Sequence, residues 1–320
     1  MRIYTQLADL PTPTAPVVAT IGNFDGVHLG HQGVIAEVIE RAHFLGGQSL
    51  AITFDPHPAR VLRPEHPRPL ITPLHRKLEL LAATGIDATL VLPFTEAFCH
   101  MTAHEFAAGI LVNAIHVTEV HEGENFRFGY GAEAGIDGLE SLGRELGFSV
   151  TVYAPRNLRG APVSSSRIRA LIAAGDVSHA RALLGRPFAI DSTPAPGRGY
   201  GTKYAVPTIN IAPYSELLPA HGVYITTLTI GDGETSETFE AVTNVGNRPT
   251  FGGDSFAVES HLLNFHPIEL AKHTPLRLTF LRRLRTERPF PTTEALRDQI
   301  ARDVTHARRY FTLCHLIADR

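Results

Sequence analysis

Two textures divide the chain. Through about the first 185 residues, apolar runs alternate with amphipathic stretches. The runs occupy residues 17–21, 49–54, 88–92, 117–121 and 149–153. Between them lie helical spacings, such as Val34, Ile35, Val38, Ile39 and Ala42, and the segments 76–83 and 103–112. Near-continuous apolar strands separated by helices predict a parallel sheet covered on both faces. Such sheets take their ligands at the carboxyl ends of the strands. Two short helices are predicted over 167–174 and 179–184, before the break at Leu184-Gly185-Arg186-Pro187. Beyond it, short β-like runs follow one another at 208–211, 223–230, 239–245, 257–265 and 276–281. Strands in succession without helices predict an antiparallel barrel or sandwich. Leu296, Ile300, Val304, Ala307 and Phe311 then predict a closing helix with a core-facing stripe, capped by Thr292 or Thr293. The expected domains are 1–185 and 186–320.

Composition adds bounds rather than a function. A length of 320 residues suits two domains, and 43% apolar content suits ordinary globular cores. A net charge of −3 argues against a broad nucleic-acid footprint. No apolar run reaches the length of a membrane span, and the N-terminus has no signal-peptide pattern. Cys99 and Cys314 stand in no metal-type spacing, which fits a reducing cytoplasm. These features predict a cytoplasmic protein without nucleic-acid or membrane partners, and leave self-association open.

The densest chemistry follows the first long apolar run, at Gly22-Asn23-Phe24-Asp25-Gly26-Val27-His28-Leu29-Gly30-His31. A strand, a glycine-bearing turn and a helix start together form an anion site, because free N–H groups and the positive helix end meet there. His28 and His31 can add donors to the same phosphate. Three further segments follow predicted strands or open a helix. Pro56 and Pro58 stiffen the loop Thr53-Phe54-Asp55-Pro56-His57-Pro58. Gly123-Glu124-Asn125-Phe126-Arg127-Phe128-Gly129 suits either a stacked planar ligand or a loop with its two aromatics in the core. Ser164-Ser165-Ser166-Arg167-Ile168-Arg169 can cap a helix and donate to a phosphate. Two phosphate-suited helix starts imply a triphosphate or two phosphorylated substrates. No Walker loop or serine nucleophile elbow occurs.

The pair His28–His31 resembles the HxGH signature of nucleotidyltransferases. The order of all four segments resembles that in bacterial bifunctional riboflavin kinase/FAD synthetases, over nearly the whole chain. The resemblance implies a Rossmann-like α/β nucleotidyltransferase domain followed by an antiparallel β-barrel riboflavin-kinase domain with a C-terminal helix. It implies that His28, His31, Ser164, Ser165 and Arg169 contact ATP phosphates, with His28 and His31 serving catalysis. Asn23, Phe24 and Gly26 would shape the nucleotide pocket, Asn125 would lie near flavin and adenine, and Pro56 and Pro58 near the flavin. The implied reaction joins FMN and ATP into FAD and pyrophosphate.

In the second half, Val206-Pro207-Thr208-Ile209-Asn210 resembles the PTAN motif of riboflavin kinases. Thr208 and Asn210 share one side of a strand and offer oxygen ligands to Mg²⁺ and its phosphates. Gly199, Gly201 and Lys203 would approach the phosphates. Asn244-Val245-Gly246-Asn247-Arg248-Pro249-Thr250-Phe251 resembles a family loop near the flavin, and Val258-Glu259-Ser260-His261-Leu262-Leu263 resembles the strand that carries the catalytic base. The resemblance implies that Arg248 lies near the flavin and that Glu259 takes the proton from the 5′-hydroxyl of riboflavin. Thr202, Ala205 and Asn264 depart from the family pattern. The expected enzyme makes FMN and then FAD. The alternative is an FAD-forming enzyme whose barrel binds flavin but is weakly active or inactive as a kinase.

Overall fold

A computed structural model describes residues 1–195, 208–250, 253–266 and 270–318, side chains of 247–250, 253–256 and 318 excepted. Gly199, Gly201, Thr202, Lys203 and Ala205 lie outside the described residues, as does the side chain of Arg248. The contacts group into two units, Met1–Ser165 and Ser166–Arg320.

The first unit opens with β1 (Arg2–Tyr4), β2 (Val17–Ile21), α1 (Leu29–Phe44), β3 (Gln48–Asp55), α2 (Pro58–Leu62), α3 (Leu74–Ala82) and β4 (Ala88–Pro93). It continues with α4 (Glu96–Cys99), α5 (Ala103–Glu105), a π-helical stretch Phe106–Ala114, β5 (Val117–Gly123), α6 (Ile136–Leu146) and β6 (Ser149–Tyr153). A small hairpin, β7 (Asn157–Leu158) and β8 (Ala161–Pro162), ends the unit. The six long-sheet strands run in the order β1-β4-β3-β2-β5-β6, and every pairing is parallel. The Rossmann-like expectation is met, with β1 added at the edge. That strand is too short to register as an apolar run.

The order carries a functional consequence. From β2 the chain builds outward through β3 and β4, then returns to place β5 on the other side of β2. The crevice at the carboxyl ends of β2 and β5 is therefore the topological switch point, where such sheets bind ligands. One face of the sheet packs Ala19, Ile21, Ile52, Leu90 and Val120 against Phe106, Leu111 and Leu139. On the other face, Val18 meets Val38 and Ala42, and Ala51 meets Ile35 and Leu81. Each such Ile, Leu or Phe contributes about 1.5–3 kcal/mol by leaving water. The helix expected over 103–112 begins with a capping box between Thr102 and Glu105, then widens into the π-helical stretch.

A buried carboxyl replaces the ladder where β2 exits toward its turn. The β2–β5 pairing ends at Ala19↔Val120, and Glu122, 4% exposed, accepts from the Ile21 N–H and from Thr20 Oγ1. Burial raises its pKa well above the usual carboxylate value. The folded pKa thus exceeds the unfolded one, so stability is lost as pH rises from the unfolded value through the folded one. Glu122→Gln keeps an acceptor without the ionisation. Its melting temperature should gain on the wild type steadily as buffers are raised from pH 4.5 to 8. Glu122→Ala orphans the Ile21 N–H and should cost about 1–3 kcal/mol in denaturant unfolding.

The second unit begins inside α7 (Ser165–Ala173), and α8 (Val177–Leu184) follows. Seven strands follow: β9 (Phe188–Ser192), β10 (Pro194–Ala195), β11 (Thr208–Ile211), β12 (Gly222–Ile230), β13 (Glu237–Thr250), β14 (Gly253–Leu262) and β15 (Leu276–Arg285). The closing helix is α9 (Thr293–Ala318). The antiparallel sheet has the order β10-β11-β14-β13-β12-β15-β9. Its two edge strands are separated in sequence by Thr193 alone, so the sheet must curl until its edges meet. Two hydrogen bonds tie this junction to the residue after β11, Ala212 N–H to Thr193 O (2.8 Å) and Ser192 Oγ to Ala212 O (3.3 Å). The expected barrel is thus a strongly curled sheet.

Inside the curl lie Tyr224, Phe188 and Phe280, beside a row of hydroxyls. Thr226 bonds Thr243 at 2.6 Å, and Thr243 bonds Ser260 at 2.8 Å. On the outer face, Val223, Ile225, Val242 and Leu263 pack against Val304, Ala307 and Phe311 of α9. Thr292 caps that helix through the Ala295 N–H. Two expectations need correction here. The strand expected over 257–265 ends at Leu262. Leu296 and Ile300 are 39% and 43% exposed, so only the later part of the apolar stripe reaches the sheet.

Candidate functional site

The first site grows from the exit of β2. Phe24, Gly26 and Val27 all have positive φ (47°, 86° and 37°). Glycine adopts this freely, but a β-branched valine does so only under strain. Buried hydrogen bonds hold the turn in place. Asp25, 3% exposed, accepts from the N–H groups of Ile71 (2.9 Å) and Thr72 (3.0 Å), and the Gly26 N–H donates to Thr72 Oγ1 (3.0 Å). The turn delivers His28 to the N-cap of α1, where its Nδ1 accepts from the His31 N–H at 3.3 Å. An accepting Nδ1 leaves Nε2 as the ring's donor.

The His28 and His31 rings stack with centroids 3.6 Å apart, and Phe24 meets His31 edge-on at 5.2 Å. Gly30 permits this arrangement, because a Cβ there would press to 3.2 Å on the His28 ring. Burial, then the charges of His28 and Lys77, hold the His31 pKa well below the ordinary imidazole value. His31 is therefore neutral near pH 7. Its Nδ1 is buried and has no hydrogen-bond partner among the described residues. An unsatisfied buried nitrogen beside open helix N–H groups is a site poised for an anionic, hydrogen-bonding ligand.

The other candidates lie on the segments that follow neighbouring strands or open α7. Ser165 Oγ donates to the Asp25 carbonyl at 2.8 Å, so that hydroxyl braces the turn; Ser164 is half-buried beside it. Pro56 is exposed and Pro58 opens α2, on the segment that leaves β3 next to β2. Asn125 is exposed on the loop that leaves β5. Phe126 and Phe128 stack on each other at 5.3 Å and pack against the core, so the loop resolves toward its packed form. Arg169 is half-buried on α7 in the second unit.

Three residues of this site are not recognisable as such in the sequence. Asp25 and Thr72 lock the turn. Lys77, 5% exposed, joins Asn23, Asp25, Phe54, Asp55, His57, Leu70, Thr72 and Leu74 around one small pocket. A signal for Lys77 exists, because it lies at helical spacing from Leu74 and Leu81, where an apolar residue belongs.

The second site is set by strand register. Asn210 lies directly opposite Glu259, which lies opposite Asn244 on the next strand. Thr208 lies opposite His261. Directly opposed residues have their Cβ atoms about 4.5–5.5 Å apart, so Thr208, Asn210, Glu259, His261 and Asn244 form one patch. Asn244 lies two residues from Val242 and so shares its face, which places the patch on the outer side of the sheet that packs against α9. Burial lowers the pKa of His261, and the nearby Arg308 lowers it further. Asn264 lies beyond the end of β14, where it donates to Glu240 at 3.2 Å. Among the described residues no cluster of three or more His, Cys, Asp or Glu could hold a metal ion. A divalent ion here would take neutral oxygens from Thr208 and Asn210 and its anionic ligands from substrate phosphates. Among the described residues no helix is long and apolar enough to cross a membrane.

Comparison with known proteins assigns both units. The FAD synthetase family profile matches residues 11–167, and the riboflavin kinase profile matches residues 184–311. A bifunctional riboflavin kinase/FMN adenylyltransferase from Pseudomonas fluorescens is 36% identical, covering 96% of this chain and 97% of its own. The enzyme of the same name from Escherichia coli K12 is 32% identical, over 94% and 95%. A crystal structure described as a macrolide-efflux protein from Streptococcus pneumoniae superposes with a TM-score of 0.85 at 25% identity, over 96% of this chain and 98% of that one. The efflux designation belongs to that protein.

Proposed function

This chain belongs to the family of bifunctional riboflavin kinase/FMN adenylyltransferases, and from that premise we propose how its own residues divide the two reactions. The enzyme phosphorylates riboflavin to FMN and adenylylates FMN to FAD. The reading in which the barrel only holds flavin is not favoured, because both family regions are present. The observation that carries our residue assignment is the stacked His28–His31 pair at the start of α1, with one buried nitrogen left without a partner.

In the first unit, a phosphate oxygen of FMN attacks the α-phosphorus of ATP and pyrophosphate leaves. Such transfer needs alignment and charge stabilisation rather than covalent help. His28 Nε2, His31 and the first N–H groups of α1 meet the polyphosphate, while Asn23, Phe24 and Gly26 shape the nucleotide pocket. Ser164, Ser165 and Arg169 belong to the phosphate side; Asn125, Pro56 and Pro58 belong to the flavin side.

In the second unit, the 5′-hydroxyl of riboflavin attacks the γ-phosphorus of ATP and ADP leaves. Glu259 takes the hydroxyl proton. Thr208 and Asn210 would hold Mg²⁺ together with the phosphates, and the ion would supply charge neutralisation for phosphoryl transfer. Gly199, Gly201, Lys203 and Arg248 complete the expected set. The domain division at 185/186 and a cytoplasmic location stand as parts of the same proposal. Purified protein with riboflavin, ATP and Mg²⁺ should release FMN first and then FAD with pyrophosphate. Supplied FMN should be converted to FAD directly. Failure to form FAD from FMN would overturn the first-unit assignment.

A further inference from the structure

Lys77 stands out on chemical grounds. Lysine occurs in this chain only at 77, 203 and 272, among 29 lysines and arginines in total. The one at 77 is buried. Its Nζ donates to Thr53 Oγ1 (2.9 Å), to the Phe54 carbonyl (3.2 Å) and to the Asn23 carbonyl (3.3 Å). Three N–H donors thus meet three acceptors. The acceptors lie on two different segments, the turn after β2 and the end of β3 leading into Pro56–Pro58. Burying an ammonium costs several kcal/mol, which an apolar residue on the same helix face would avoid.

We infer that Lys77 is a positioning residue for adenylyl transfer: one buried ammonium draws the Asn23 and Phe54 carbonyls together and sets the spacing of the two loops that frame the crevice. This rests on the assignment of adenylylation to the first unit. The ammonium also feels its surroundings electrically. Asp25 on the turn and Asp55 at the end of β3 stabilise its charge, while burial lowers its pKa to about 8. His31 on α1 feels the same charge, and His57 lines the pocket. Deprotonation would remove one of the three donations and let the loops separate.

The test uses the full chain, with riboflavin phosphorylation by the barrel as the internal control for folding. Lys77→Met should lower kcat for FMN adenylylation by about 100-fold, with a smaller change in KM, because a loop shift of about 1 Å carries a cost of that order. Riboflavin phosphorylation should stay within twofold. Thr53→Val removes one acceptor and should lower the same kcat by about 3–10-fold, less than the loss of all three donations. The wild-type FAD rate should fall as pH rises through about 8, and Lys77→Arg should move that fall to higher pH. Adenylylation by Lys77→Met within threefold of wild type overturns the inference. If Lys77→Met does not fold, an unchanged kcat in Thr53→Val with no alkaline fall in the wild type overturns it equally. A wild type that makes FMN but no FAD removes the assignment beneath it, an outcome distinct from either.

Discussion

Replacing His31 with alanine should halt FAD synthesis while riboflavin phosphorylation continues, so FMN accumulates in a mixture of riboflavin, ATP and Mg²⁺. The expected loss in adenylylation kcat is 10²–10³-fold, about 2.7–4 kcal/mol, the usual effect of removing one preorganised donor from a charge-stabilising site. The reason lies in the site geometry. His31 stacks on His28 and is kept neutral by burial and by the charges of His28 and Lys77, so it meets the polyanion as a fixed dipole. Removing the ring also frees His28, whose N-cap orientation is braced by that stack. Chromatographic separation of riboflavin, FMN and FAD over time reads the result. Equal loss of both products would sink the idea of a site devoted to adenylylation.

Glu259→Gln should give the opposite pattern. FMN production from riboflavin should drop by 10²–10⁴-fold, the range associated with a general base, while supplied FMN still becomes FAD. Glutamine preserves the size and the register with Asn210 and Asn244 but cannot accept the hydroxyl proton. A fall in kcat with little change in the KM for riboflavin would identify a proton-transfer role. Undiminished FMN formation would remove Glu259 from the mechanism and return attention to Thr208, Asn210 and His261.

Much of this architecture is legible from local pattern. The runs at 17–21, 149–153 and 208–211 match β2, β6 and β11 end to end. Fully buried strands and half-buried antiparallel strands leave distinct signatures, so both sheets could be foreseen. Departures fall where a local pattern has no unique meaning. Leu296 and Ile300 continue a helical stripe that the sheet is too short to cover. Phe126 and Phe128 read equally as a stacking platform or a packed loop, and the core beside them selects packing.

By itself the sequence indicated the two kinds of sheet, the His28–His31 turn that follows β2, and the two-residue spacing that puts Thr208 and Asn210 on one face of a strand. Those properties follow from spacing within single elements, whereas the role of Glu259 follows from the family resemblance. Only the tertiary structure decided that Asp25, Thr72, Lys77 and Glu122 support the first site, and that Asn244 flanks Glu259 in the second. Their partners lie 23 to 102 residues away or on neighbouring strands, beyond the reach of any periodicity. Burying a charge or a lone carboxyl is costly, so such groups acquire meaning only when the fold supplies the oxygens and N–H groups that receive them.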